Sequence, residues 1–133
     1  MENIKSSMKF INYVVHSVEF TNNPDFEGED TSLDFEPTVD FEIQDNNLLV
    51  FLSIHVFKDA EKHNYPFEMK VSVVGHFKVS NKENVEKYKP NAVAVLFPYI
   101  RSLISTYTAA ANVNPLILPT VNINRMLANK NDK

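Results

Sequence analysis

The sequence predicts an α+β fold: a four-stranded antiparallel meander, then a long helix packed on the sheet and a short C-terminal helix. Three observations lead to this prediction. The first 80 residues hold four β-type segments separated by turn residues, and residues 91–111 repeat apolar side chains at helical spacing. The chain of 133 residues is long enough for one hydrophobic core but not for two. Residues 1–133 are therefore predicted to form a single domain.

The first two predicted strands flank an acidic segment. Residues 10–20 are rich in β-branched and aromatic side chains and are apolar on both faces, so both faces of this strand should be covered. Residues 26–37 contain many acids and are predicted to be a crossing loop. Residues 38–44 then alternate between apolar and acidic side chains, which is typical of a half-buried strand.

The third and fourth strands are predicted at residues 48–58 and 65–79, where apolar residues recur at every second position. Turn residues at 45–47 precede the third strand, and a charged hairpin at 59–64 joins it to the fourth. Consecutive strands linked by short turns predict the meander. Gly75 lies in the middle of the fourth strand, where a glycine commonly marks a bulge or a close backbone approach.

A short helix is predicted between the sheet and the long helix. Ser80 and Glu83 have the S-x-x-E spacing of a capping box, which favours a helix at residues 81–88. Pro90 should end it, because proline lacks the backbone N–H that a helix interior needs.

The long helix is predicted from an apolar stripe that is wide enough to pack on a sheet. Pro98 should kink this helix or mark the start of its regular part. Further apolar residues widen the stripe, so the helix should have two partners. A last amphipathic helix is predicted at residues 123–129. The stripe consists of Leu96, Ile100, Leu103, Ile104, Tyr107 and Ala111.

The charge of −4 is unevenly distributed, because no Lys or Arg lies between Phe10 and Phe57. An acidic half disfavours contact with nucleic-acid phosphates and could attract basic polypeptide segments. The alternative is an acidic loop that only keeps the surface solvated. No run of apolar residues is long enough for a membrane span or a signal peptide, so we expect a cytoplasmic protein without direct membrane insertion.

No catalytic, metal or cofactor site is predicted. The chain has no cysteine, and its four histidines lack the spacing of known metal-binding motifs. Glycine-rich phosphate-binding loops are also missing. The histidines are His16, His55, His63 and His76.

Two proline-containing motifs carry a resemblance to a known family. The first is N-x-x-x-x-L-F-P-Y-x-R at residues 91–101, and the second is P-x-x-L-P-x-V-N, which ends at Asn122. Together with four strands before the helix, they make the chain from Phe10 to Leu127 resemble the SecB export chaperones. The resemblance implies a subunit that assembles as a dimer of dimers and binds unfolded polypeptides without ATP.

The resemblance also implies site residues. The client groove of the family involves the second strand and the last helix, which correspond here to Val39, Phe41, Ile43, Met126 and Leu127. The alternative for the strand residues is an ordinary core role. Oligomer contacts are expected at the fourth strand and the long helix, although the fourth strand could instead only support that helix. The expected oligomer contacts are Met69, Val71, Val73, Leu96, Ile100, Leu103 and Tyr107.

Two departures from the family argue against docking to the SecA motor. The acidic positions on the outer sheet face of SecA-dependent members correspond here to Ser17, Thr21 and Lys70. Those members also carry an acidic tail, whereas this chain ends in ANKNDK. A SecB-like holdase that acts alone, or one dedicated to an antitoxin, fits these departures. The competing class is a small-ligand-binding α+β domain.

Overall fold

The computed structural model describes residues 7–29 and 31–131. Its elements are four strands, three α-helices and one turn of 3₁₀ helix at Lys82–Asn84. The strands are β1 (Met8–Asn22), β2 (Phe35–Gln44), β3 (Asn47–Val56) and β4 (Phe67–Val79). The helices are α1 (Ala60–His63), α2 (Val85–Ala110) and α3 (Ile123–Asn131).

The four strands form one antiparallel sheet in the order β1-β4-β3-β2. The predicted four-stranded antiparallel sheet is confirmed, but the predicted meander is wrong for its first strand. Strands β2, β3 and β4 follow one another as neighbours, whereas β1 pairs with β4 at the opposite side of the sheet from β2. This order is that of a Greek key, in which one long connection crosses the end of the sheet.

The crossing segment at residues 23–34 is fixed to the connection between β3 and β4. Asn23 is buried, and its backbone N–H donates to the carbonyl of Pro66 at 3.0 Å, while its side-chain amide donates to the carbonyl of Tyr65 at 2.9 Å. Asn64 exchanges two side-chain hydrogen bonds with the backbone of Glu27. These bonds hold the acidic segment across the sheet end, which local turn signals alone could not indicate.

Two bulges explain why β1 looks apolar on both faces. Its register against β4 shifts between Phe10 and Asn12 and again between Val15 and Ser17. Each shift reverses the alternation of side chains along the strand. The residues opposite the inward side chains of β4 therefore include Phe10, Tyr13, Val15, Val18 and Phe20. Val14 lies on the outer face, where its side chain is 59% exposed.

Helix α2 covers one face of the sheet and encloses the core between itself, β3 and β4. We call this the inner face and the other the outer face. The alternation predicted for β3 and β4 is confirmed, because every second residue of both strands is buried. The largest fully buried side chains are Phe77, Leu48, Leu52, Ile54, Met69, Leu96, Ile100, Ile104 and Leu118.

Helix α2 begins earlier than predicted and continues through both of its prolines. The short helix expected before Pro90 is instead a 3₁₀ turn that leads directly into α2, with Asn81 as its cap. Each proline removes the hydrogen bond to the carbonyl four residues earlier. Those carbonyls belong to Glu86 and Ala94, which are exposed, so water can bond to them. Burial of neighbouring side chains on the sheet keeps the helix continuous.

The sheet and α2 approach each other closely at Gly75. A Cβ atom at this position would lie 3.0 Å from Leu96 Cδ2 and 3.1 Å from Phe77 Cε1. The prediction of a close backbone approach is thereby confirmed. The bulges of the sheet lie in β1 and not in β4.

We predict that Gly75→Ala destabilises the fold by about 1–3 kcal/mol, because the added methyl group overpacks this contact. The measurement is urea unfolding followed by circular dichroism. Combining Gly75→Ala with Leu96→Val should recover part of the loss, since valine withdraws one of the crowding methyl groups. A single variant as stable as the parent would show that α2 does not press on Gly75.

Candidate functional site

An open groove of about 690 Å³ lies between the edge strand β2 and helix α3. One wall consists of consecutive residues of β2, and the other consists of the start of α3 and the two residues before it. The lining residues are Phe35, Glu36, Pro37, Thr38, Val39, Asp40, Val121, Asn122, Arg125 and Met126.

The structure brings two of the five predicted client-binding residues into this lining. They are Val39 and Met126, which are 3% and 8% exposed and face the groove from opposite walls. Phe41 is half-buried, and the Nζ atom of Lys89 lies 4.8 Å from the centre of its ring. Ile43 is 40% exposed near the β2–β3 turn, and Leu127 packs against the core from α3. These three lie on the same elements but outside the lining.

Sequence reasoning missed the start of the groove wall. Phe35 and Pro37 were placed in the acidic loop, yet they continue β2 toward its N-terminus and lie on the same face as Val39. The signal was available, because Phe35, Pro37, Val39, Phe41 and Ile43 are apolar at every second position. The acidic residues of this segment led instead to the prediction of a loop. Val121 and Arg125 on the opposite wall were also not selected.

Three polar side chains of α2 hold the segment that leads to α3. Arg101 donates from Nε to the carbonyl of Leu118 at 3.0 Å, and Ser105 donates to the carbonyl of Leu116 at 2.8 Å. The hydroxyl of Thr108 accepts from the backbone N–H of Leu116 at 2.9 Å and donates within its own helix. We call residues 116–118 the strap. The three hydrogen bonds between the strap and α2 are 2.8–3.0 Å long and partly buried, so they fix the position of the strap on α2.

The strap sets where α3 begins. Its last residue, Leu118, is fully buried, and the side-chain oxygen of Asn122 caps α3 by accepting the backbone N–H of Arg125 at 2.9 Å. Met126 follows within the first turn and reaches the groove. Arg101 belongs to the first proline motif, whereas Leu118 and Asn122 belong to the second. The two motifs therefore bond to each other, which sequence reasoning did not anticipate.

Five of the seven predicted oligomer contacts lie in the core of the single chain. Their side chains are at most 1% exposed. Helix α2 covers those on β4, and the sheet covers those on α2. A side chain without exposed area has nothing to offer a second subunit, so this placement corrects the assignment in favour of support for the main helix. The five residues are Met69, Val71, Val73, Leu96 and Ile100.

The other two predicted contacts lie on a different stripe of α2. Leu103 is half-buried and Tyr107 is 41% exposed. Together with Val95 and Tyr99 they recur at every fourth position of the helix and so lie along one side of it. Tyr99 packs on the edge strand β1, with its ring 4.8 Å from that of Tyr13. We call Val95, Tyr99, Leu103 and Tyr107 the outer stripe of α2. Helix α2 thus has one buried apolar face and one that this chain covers only in part.

The outer sheet face carries both charge signs. Ser17, Thr21 and Lys70 do lie there, but Glu19 is opposite Lys70 and Glu68 is opposite Thr21 in the β1–β4 register. The hydrogen bond from His55, at 2.7 Å, lowers the pKa of the Glu68 carboxyl. This face therefore retains acidic groups at neighbouring positions.

Two negative findings apply to the described part of the chain. Within residues 7–29 and 31–131, no three histidine, aspartate or glutamate side chains are grouped so that they could hold a metal ion. Over the same residues, no helix combines the length and the apolar character that crossing a membrane requires.

We predict that Thr108→Val loosens the strap and with it α3. Valine keeps the shape of threonine but leaves the N–H of Leu116 without its acceptor, which should destabilise the fold by about 1–3 kcal/mol. Amide hydrogen exchange at residues 116–127 measures the local effect, and exchange there should be faster than in the parent. Thr106→Val is the matched control, because Thr106 is exposed on the same helix. Equal exchange in both variants would contradict the role of Thr108.

Comparison with known proteins agrees with this architecture. The sequence profile of the family described as preprotein translocase subunit SecB matches residues 11–133. An uncharacterized protein of Methanocaldococcus jannaschii is 37% identical, over 94% of this chain and 85% of its own.

Two solved structures share the fold at 14% sequence identity. One is a SecB-like chaperone of Mycobacterium tuberculosis in complex with a ChAD peptide from the HigA1 antitoxin; the TM-score is 0.66, over 86% of this chain and 90% of that one. The other is a protein of unknown function from Streptococcus agalactiae, with a TM-score of 0.53 over 87% of this chain and 99% of that one. With the family profile matching nearly the whole length, this chain belongs to the SecB family.

Proposed function

We propose that this protein is an ATP-independent holdase chaperone that binds non-native polypeptides in the groove between β2 and α3. The observation that carries the proposal is the groove itself, which is open and lined by apolar side chains of both walls. Family membership supports it. A holdase lowers the concentration of free, aggregation-prone chains and needs no chemistry at its site.

The side chains of the groove suit a variety of clients. The partly exposed side chains of Phe35, Pro37 and Val121 offer apolar surface on both walls, and the buried Met126 adds a flexible, polarisable side chain behind them. Non-directional contacts of this kind accept many apolar sequences with similar affinity. Because the groove is open along its length, it fits a chain segment better than an enclosed small ligand, which weakens the small-ligand alternative.

An antitoxin is the second candidate client. The M. tuberculosis neighbour, which shares this fold, was solved with an antitoxin peptide bound. A chaperone dedicated to an antitoxin would use the same groove with a preferred sequence. Coupling to SecA and a role in export remain the less favoured proposal, because Lys70 and Thr21 stand where acids are expected.

We further propose that the protein assembles as a dimer of dimers through the outer stripe of α2. Val95, Tyr99 and Tyr107 are each 38–41% exposed, although the helix that carries them is otherwise well packed. Apolar side chains aligned over several helical turns are typical of a helix-to-helix contact. Several grooves in one assembly could bind one long client, which strengthens weak contacts by about 100-fold or more.

The first test compares two acidic substitutions in the same segment. Val121→Asp introduces a charge into the groove wall and should reduce the capture of a urea-unfolded client about tenfold or more, as measured by suppression of light scattering. Ile117→Asp is the control, because Ile117 is 74% exposed and outside the lining. Circular dichroism establishes that both variants are folded. If both variants capture the client as well as the parent does, the groove is not the binding site.

The second test concerns assembly. Leu103→Glu should dissociate the tetramer, because the variant places a charge within the outer stripe, and multi-angle light scattering should report a mass near one or two chains of 15.2 kDa. Ala94→Glu, at an exposed position on the side of the same helix that faces away from the outer stripe, should leave the mass unchanged. A parent protein that is monomeric, or a Leu103→Glu variant that keeps its full mass, would refute the proposed interface.

A further inference from the structure

We infer that Lys89 is a gate at one end of the groove: its side chain covers the ring of Phe41, and its release adds Phe41 and Ile43 to the surface that a client contacts. This inference rests on the proposed function and adds to it a residue that determines how long a segment the groove accepts. Three observations support it: the point where the groove ends, the contacts of Lys89, and the exposure of the residues beyond it.

The groove ends on β2 before the apolar face of the strand does. Its lining includes residues 35–40 of β2 and stops there. The inner face of β2 continues with Phe41 and Ile43, which follow Val39 at every second position. Phe41 is half-buried and Ile43 is 40% exposed, so the core of the chain covers neither of them completely. The end of the groove therefore does not coincide with the end of the apolar surface.

Lys89 contacts β2 at this point. It lies near the start of α2, and its Nζ atom is 4.8 Å from the centre of the Phe41 ring. The side chain of Lys89 is only 25% exposed, although lysine side chains are usually among the most exposed in proteins. An ammonium group over the face of an aromatic ring is attracted by the negative charge of that face. While the ammonium group occupies the ring face, a bound segment cannot pack there.

The contacts that hold Lys89 over the ring are weak enough for a client to displace them. The Nζ atom also lies 2.7 Å from Oε2 of Glu86, three residues earlier on the same helix, and the Glu86 side chain is 79% exposed. An exposed ion pair and an exposed cation–π contact each favour one side-chain position by about two- to fivefold. Lysine has a flexible four-carbon stem, so its ammonium group can move into solvent while the backbone of α2 stays in place.

Release of Lys89 lengthens the site along β2. Six residues of an extended strand span about 20 Å, and positions 41–43 add about 10 Å. The added surface consists of one aromatic and one β-branched side chain, which favours apolar side chains at the end of a longer client segment. A short segment that stays beside residues 35–40 does not reach Phe41. We therefore expect the position of Lys89 to affect the binding of long segments and not of short ones.

The test compares two neutral peptides in which leucine and serine alternate, one of about six residues and one of about twelve, which match the two lengths of the site. Lys89→Ala removes the gate and preserves α2, because alanine has the highest helix propensity. This variant should bind the longer peptide about three- to tenfold more tightly than the parent does, since the client no longer displaces the two weak contacts. The shorter peptide should bind equally to both proteins. Fluorescence anisotropy of the labelled peptides measures the affinities.

Lys87→Ala is the matched control, because Lys87 is exposed near Lys89 on the same helix and its loss removes the same charge. It should leave both affinities unchanged. When Phe41→Ala is added to Lys89→Ala, the gain for the longer peptide should disappear, because the ring that the gate uncovers is missing. An equal gain for both peptides, or a gain that persists without the ring, would overturn the inference.

A second measurement requires no client. The chain has no tryptophan, so Phe41→Trp introduces a single fluorescent reporter at the covered position. Adding Lys89→Ala to this variant should increase the rate constant of quenching by acrylamide about twofold or more, because the indole loses the cation that covers it. Adding Lys87→Ala instead should leave the rate constant unchanged. Equal quenching in the two double variants would show that Lys89 does not cover the ring.

The gate and the proposed function fail in different ways. If the parent captures an unfolded client but Lys89→Ala shows no gain that depends on peptide length, only the gate is refuted. If neither protein binds either peptide or captures an unfolded client, the proposed function is refuted, and the gate with it.

Discussion

The groove depends on the attachment of the strap to α2. A helix as short as α3 has little stability of its own, so it stays beside β2 only because the segment before it is fixed. Arg101, Ser105 and Thr108 lie about one helical turn apart and together satisfy the backbone groups of Leu116 and Leu118. Leu118, fully buried, adds an apolar anchor. Because the strap is bonded to α2, the start of α3 is fixed, and with it the width of the groove between α3 and β2.

The open edge of β2 requires protection when no client is bound. Unpaired strand edges lead to aggregation, and proteins limit this with prolines, charges and neighbouring elements. Strand β2 has all three: Pro37 removes a donor, the exposed acids Glu36 and Glu42 oppose pairing with an identical acidic strand, and α3 stands beside the edge. The edge is thereby protected from pairing with the same strand of a second copy of the chain.

The sequence predicted elements whose pattern is local and missed relations between distant segments. Alternation in β3 and β4 and the helical stripe at Leu96 and Ile100 are visible in consecutive residues, and the structure has them as predicted. The connection that lets β1 pair with β4 is held by hydrogen bonds of Asn23 and Asn64 across the sheet end, and no periodicity in the sequence indicates them. Helix α2 continues through Pro90 because tertiary packing outweighs a local breaker.

The residues of the candidate site also differ in whether the sequence could indicate their role. Val39 and Met126 could be selected because a family resemblance assigned their segments to a groove, whereas the roles of Met69 and Ile100 could not be separated from the core without knowing which face α2 covers. The sequence alone does not indicate whether an apolar residue of α2 is buried by the sheet or by a second subunit. The exposure of the side chains separates the two faces of α2. The sheet buries one face, whereas Tyr99 and Tyr107 on the outer stripe remain exposed. The second partner expected for α2 stays a prediction, and the side chains of α2 that remain exposed for it belong to the outer stripe and not to the set of Leu96 and Ile100.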